Sequence, residues 1–378
     1  MLRSCFLLIP ALCLSSLAAA AQTPNPSTLK DAYRGAFVVG AAINADQIAG
    51  TDARGLGIVT REFNAISPEN VMKWERIHPE PGVYSFDLPD KYVAYGLKNH
   101  MFIVGHCLVW HNQVPAWVFK DDKGQPLTRE ALLQRMSEHI HTVVGRYKGK
   151  VNGWDVVNEA LNEDGTMRQS PWLKIIGEDY IVKAFQFAHD ADPSAQLNYN
   201  DYNLETPAKR KGAIALIKKL QAAGIPISVV GNQAHVHLAS PSIEDEDAAV
   251  TELAATGLKV AITELDIDVL PHVAPNTADI SLSVKSDPKL DPYAKGLPDA
   301  VQKELTKRYA DLFAVYWKHR ASMSRVTLWG VTDDGSWLND WPVRGRTSYP
   351  LLFDRNGLPK PAFDAVLKVP SEAGEHAK

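Results

Sequence analysis

Cysteine is scarce in this chain: three in 378 residues, at positions 5, 13 and 107. The first two fall in the opening segment, so a framework of stapled loops is excluded. A surplus of one charge is missing too. Forty Lys and Arg stand against 44 Asp and Glu, a formal net charge of −4. That lacks the basic excess with which proteins neutralise phosphates, and argues against a nucleic-acid partner. Past residue 21 no apolar run approaches the roughly 20 residues needed to span a bilayer, which argues against a membrane anchor. The 24 Gly and 24 Pro follow no period, which excludes a collagenous chain. No Ser/Thr/Pro-rich linker or low-complexity tract divides the sequence into separate domains.

What is present begins with a leader. Residues 1–21 open with Met1-Leu2-Arg3, run apolar from Cys5 to Leu17, and end in Ala18 to Ala21. A basic start, a short apolar stretch and a small-residue exit describe a secretory signal peptide cleaved between about Ala20 and Gln22. The expected product is secreted or periplasmic. It retains 39 basic against 44 acidic residues and a single cysteine, Cys107, read as a packed small side chain.

The rest alternates β-rich runs with helical patterns. Eight strands are predicted: Ala36 to Ile43, Phe63 to Glu69, Phe102 to Trp110, Val151 to Glu159, Gln196 to Asp201, Ser228 to His235, Lys259 to Ile267 and Val326 to Val331. Between them, stretches such as Leu132 to Tyr147, Tyr180 to Asp190, Ala208 to Ala223, Ile243 to Gly257 and Val301 to His319 repeat apolar residues every three to four positions. Parallel neighbours need helical crossovers, so this alternation predicts an α/β fold, a single (β/α)8 TIM barrel. Polar groups recur where the strands end: Asn44, Glu69-Asn70, His106, Trp110-His111, Asn158-Glu159, Asn200-Asp201, Gln233, His235, Glu264, Asp266 and Trp329. In such a barrel those ends converge on the face that carries the active site. From Leu270 to Pro298 five prolines among scattered polar residues predict an extended loop after the seventh strand.

Two glutamates close apolar strands: Glu159 after Trp154-Asp155-Val156-Val157-Asn158 and Glu264 after Val260-Ala261-Ile262-Thr263. A carboxylate there must be paired, hydrogen-bonded or open to a cleft. On the fourth and seventh of eight strands the two face each other across the mouth. That placement suits glycoside hydrolysis, in which one carboxyl group protonates the leaving oxygen and the other attacks or activates water.

These motifs, Trp154 to Glu159 and Thr263-Glu264-Leu265-Asp266, resemble those of glycoside hydrolase family 10, the retaining endo-β-1,4-xylanases. The likeness continues in Glu69-Asn70-Val71-Met72-Lys73-Trp74, His106 to Gln113, Gln233-Ala234-His235, and Trp329-Gly330-Val331 followed by Ser336-Trp337-Leu338. The resemblance implies residues 22–378 as one catalytic barrel, Glu159 as acid/base and Glu264 as nucleophile, supported by His235 and by Asp266 behind it. It implies sugar contacts from Glu69, Asn70, Lys73, His106, Trp110, Gln113, Asn158, Gln233, Trp329 and Trp337, with Tyr202 on the leaving side. It implies xylan and xylo-oligosaccharides as substrates, a monomer, and no metal or cofactor. Many members carry a disulfide shortly after the nucleophile motif, whereas here the proline-bearing loop occupies that region and is expected either to extend the leaving-side cleft or to order on substrate binding. Two other readings stay open from the residues: a β-1,4-glucanase on the same scaffold, and a zinc-dependent barrel hydrolase using His106, His111, His235 and His237.

Overall fold

A computed structural model describes residues 28–273 and 278–375; the leader at 1–21 lies outside the described residues. Among the described residues nine strands appear: β1 (Val38–Ile43), β2 (Ala65–Pro68), β3 (Phe102–Val109), β4 (Gly153–Asn158), β5 (Gln196–Asp201), β6 (Val229–Asn232), β7 (His235–His237), β8 (Lys259–Asp268) and β9 (Met323–Leu328). Pairing runs β6-β5-β4-β3-β2-β1-β9-β8, and β6 pairs with β8 to close the ring. Every pair is parallel. The barrel therefore has eight staves, with β6 and β7 forming one interrupted stave.

The interruption departs from the single strand expected over Ser228 to His235. At Ala234 the backbone turns left-handed, φ 60°, and the ladder of β6 stops. It resumes as β7, with His235 opposite Asp266 of β8. The kink lets Gln233 reach toward β4 while His235 reaches toward β8, two directions that one regular strand could not serve.

The five helices predicted between the strands are observed as Arg129–Arg146, Tyr180–Ala191, Pro207–Ala222, Ile243–Ala254 and Asp299–Lys318. Arg129–Arg146 shows why they form. Thr128 caps its first turn by accepting from the Ala131 amide, and Leu132, Met136, Ile140, Val143 and Val144 make one buried stripe. Between Asp268 and Asp299 the described residues contain one turn of 3₁₀ helix, Pro288–Leu290, and no strand, consistent with the predicted long loop.

The barrel interior beneath the mouth is charged. Asp155 of β4 accepts from His106 Nδ1 at 3.0 Å and from Asn198 Nδ2 at 3.1 Å, and lies 3.5 Å from Arg325 Nη2 of β9. Burial alone would push the Asp155 carboxyl up, but the His106 hydrogen bond and the Arg325 charge outweigh it and the net shift is downward. Arg325 is 1% exposed, and Asp155 is the only anion paired with it among the described residues. Asp155→Ala would strand that guanidinium, and unfolding in urea should report a loss of about 3–5 kcal/mol. A loss under about 1 kcal/mol would mean that Arg325 does not depend on its partner.

Candidate active site

The predicted strand ends do converge. Glu69, Asn70, Lys73, His106, Trp110, Gln113, Asn158, Glu159, Gln233, His235, Glu264, Trp329 and Trp337 line one cavity of about 110 Å³ at the carboxyl end of the barrel, joined by Ala278 and Ile280 of the long loop. A larger hollow of about 600 Å³ shares Glu69 and Asn70 with it and runs outward past Asn44, Arg76 and Asp87. Tyr202 is not among the lining residues. It is 2% exposed, its ring stacks against Lys209 Nζ at 3.4 Å, and its hydroxyl accepts from Arg168 at 2.8 Å.

Local backbone irregularity aims the side chains. Glu159, Gln113 and Ala234 all have positive φ, 56°, 44° and 60°, a region that side chains other than glycine's enter at a cost and that clusters at functional sites. The β3–β4, β4–β5 and β8–β9 ladders each slip register near their carboxyl ends, between His106 and Val109, Asp155 and Val157, and Ile262 and Leu265. Such bulges re-aim residues beside active sites.

The two glutamates sit in opposite electrostatic settings. Glu159 accepts from Trp110 Nε1 at 2.8 Å, Gln233 Nε2 at 3.0 Å and Asn158 Nδ2 at 3.1 Å. Burial is nevertheless the largest influence, and with the negative charges of Asp201 and Glu264 it pushes this carboxyl up to about 7. Glu264 is equally buried. It accepts from Asn200 Nδ2 at 2.7 Å and His235 Nε2 at 3.3 Å. Burial would raise it, but the His235 hydrogen bond and the positive charges of His106, His235 and Lys73 outweigh that effect and hold it below the usual glutamate value.

His235 can do this because Asp266 stands behind it, 2.9 Å from Nδ1. Burial opposes the imidazolium, yet the charge and hydrogen bond of Asp266, with those of Glu264, raise His235 to about 10. It is a cation at neutral pH, with both ring N–H groups committed. The other Asp266 oxygen accepts from Trp337 Nε1 at 2.7 Å, which fixes that indole on the cavity wall. Across the cavity, Lys73 Nζ donates to Asn70 Oδ1 at 3.0 Å and Gln113 Oε1 at 2.9 Å, and lies over the Trp110 ring at 4.8 Å.

Asn200 is a site residue that the sequence reading did not assign. Its amide nitrogen bridges Glu264 Oε1 and Asn158 Oδ1, and its oxygen accepts from Thr263 Oγ1 at 2.6 Å. Gly231 on the neighbouring stave makes this possible, since a Cβ there would overlap the Asn200 side-chain oxygen and crowd Thr263 Cγ2. Its place at a polar strand end was the available signal. Cys107 is a free, buried thiol, as expected of a packed residue. Among the described residues no group of three or more His, Cys, Asp and Glu is placed to hold a metal ion, so the zinc reading lacks a ligand set there.

Comparison with known proteins agrees with this geometry. The chain is 46% identical to an endo-1,4-beta-xylanase A of Xylanibacter ruminicola over 95% of this chain and 97% of that one. It is 42% identical to a beta-1,4-xylanase of Dictyoglomus thermophilum, over 90% of each. A solved endoxylanase retrieved from a sugarcane soil metagenome superposes with a TM-score of 0.88 at 47% identity, covering 90% of this chain and 99% of that structure. The profile of Glycosyl hydrolase family 10 matches residues 28–369, and the chain belongs to that family.

Proposed function

We propose that this enzyme cleaves β-1,4-xylosidic bonds within xylan chains with net retention, using Glu264 as nucleophile and Glu159 as acid/base. The observation that carries the reading is a pair of buried carboxyl groups in one cavity, one raised to about 7 and the other lowered. Two titratable groups pushed apart in this way divide into an acid and a nucleophile.

In the first step Glu264 attacks the anomeric carbon as Glu159 gives its proton to the leaving oxygen. The glycosidic C–O bond breaks and an ester to Glu264 forms. The ester carries no negative charge, so one of the repulsions that favoured protonated Glu159 disappears. Glu159, now ionised, takes a proton from water, whose oxygen attacks the same carbon and releases Glu264 as carboxylate. Two inversions give retention. Lys73, Asn70, Gln113 and Glu69 supply hydroxyl partners on the non-leaving side, while Trp329 and Trp337 wall the ring. The leader motif and the size of the polymer, which has to be met outside the cell, support export of the enzyme.

The pH dependence of kcat/KM follows with a definite sign. Activity should fall as pH rises through about 7, where Glu159 loses its proton. It should also fall on the acid side below the ordinary glutamate value of 4.5, where Glu264 gains one. Gln233→Leu removes a donor that favours ionised Glu159, so the alkaline limb should move upward. A limb that stays fixed would dissociate it from Glu159. Proton NMR of the anomeric signals during xylan hydrolysis tests the whole reading. β-configured oligosaccharides of mixed length should appear first; α-products would overturn retention, monomer-only release would overturn internal cleavage, and preference for a soluble cellulose would overturn the substrate.

A further inference from the structure

One guanidinium ties together three loops at the mouth of the barrel. Arg168 Nε donates to the Glu159 carbonyl at 3.1 Å, and Nη2 to the Leu161 carbonyl at 3.3 Å and the Tyr202 hydroxyl at 2.8 Å. These fix it to the loops after β4 and β5. Its Nη1 lies 3.3 Å from Asp279 Oδ2 in the long loop after β8. Both side chains are largely shielded, 17% and 27% exposed. The residues flanking Asp279, Ala278 and Ile280, are the two through which the long loop lines the catalytic cavity.

The location decides what such a tie does. Arg168 holds the carbonyl of Glu159, and Glu159 must face the leaving oxygen in order to protonate it. The loops that Arg168 joins therefore border the side occupied by the departing part of the chain. Asp279 is an unusually economical anchor, because its Oδ1 caps its own turn by accepting from the Ser281 amide at 3.0 Å and the Ser281 hydroxyl at 2.7 Å. One oxygen shapes the loop and the other docks it.

We propose that the Arg168–Asp279 ion pair is a strap that seats residues 278–280 as a wall of the leaving-side cleft and thereby sets the affinity for sugar units beyond the scissile bond. This rests on the retaining xylanase reading above. Asp279 is a positioning residue: it acts through Ala278 and Ile280 and touches no reacting atom. The gain is modest because the pair, though largely shielded, keeps some contact with solvent and loses part of its attraction to it.

The test is Asp279→Asn in the full chain. The substitution keeps an oxygen for Ser281 and removes the charge that faces Arg168. On xylohexaose, which reaches across the leaving side, kcat/KM should fall about fivefold, chiefly through KM. On an aryl xylobioside, whose leaving group is a single ring, it should change less than about twofold. Asp279→Glu, which can still reach Arg168, should recover most of the loss. A parallel fall on both substrates through kcat would mean general disturbance of the site and overturn the proposal. So would unchanged kinetics on xylohexaose, or a failure of the glutamate variant to rescue. The same pair of measurements with cellohexaose and an aryl cellobioside separates the two claims. A wild-type enzyme faster on the glucose series would overturn the substrate assigned above, while the long-to-short ratio would still read the strap.

Discussion

Glu264→Ala should abolish turnover of every glycoside, lowering kcat by about 10⁵-fold on xylan and on activated aryl xylobiosides alike. The loss does not depend on the leaving group, because the missing bond is the one from the protein to the anomeric carbon. Protonation by Glu159 cannot substitute for it. The vacated space should admit a small anion. Azide entering there attacks from the face opposite the departing oxygen and displaces an activated leaving group in a single inversion, so the product should be the α-xylosyl azide. NMR of the product after incubation with azide checks this. A β-azide would mean that Glu264 serves the opposite face and that the roles are exchanged.

Glu159→Ala should discriminate between substrates. On xylan, where an alkoxide must be protonated as it leaves, kcat/KM should fall by about 10³-fold. On an aryl xylobioside with an acidic phenol, formation of the ester to Glu264 should proceed within about tenfold of normal, since that leaving group needs no proton. Attack of water on the ester then lacks its base, so the ester should accumulate and the phenol should appear as a burst equal to the enzyme present. Azide, a nucleophile that needs no base, should restore steady turnover and give the β-xylosyl azide. Equal losses on the two substrates with no burst would remove the acid/base role from Glu159. The opposite anomers expected from the two alanine variants make the assignment self-checking.

Much of this arrangement is legible in the sequence alone. The eight staves fall within three residues of their predicted ends, because apolar runs bounded by polar residues leave little freedom in where a buried strand stops. The two glutamates and nearly all of the proposed sugar contacts meet in one cavity, because position at the carboxyl end of a barrel strand already implies a common face. What escaped depends on contacts between distant parts of the chain. Asn200 is a plain strand-end amide until the fold brings Glu264, 64 residues on, against it. Arg168 and Asp279, 111 residues apart, are ordinary loop charges in a linear reading. The break at Ala234 has no local signature, since alanine has no preference for the left-handed region and the kink is imposed by the partners of Gln233 and His235. Tyr202 shows the converse. An aromatic just past a strand end looks the same in sequence whether it lines a cavity or, like Tyr202, lays its ring against a lysine and accepts at its hydroxyl from an arginine.

The amides between the two glutamates also act as an electrical separation. Gln233 presents an N–H to Glu159, Asn200 presents an N–H to Glu264, and both lean on the oxygen of Asn158. A row of water or hydroxyls in that place would form a wire along which a proton could hop from the acid to the nucleophile. Amide N–H groups do not give up their protons, and amide oxygens are poor bases, so the row conducts nothing. No proton passes directly from Glu159 to Glu264 along this row. The enzyme can therefore keep a charged acceptor and a protonated donor in one cavity without the pair discharging itself along this row.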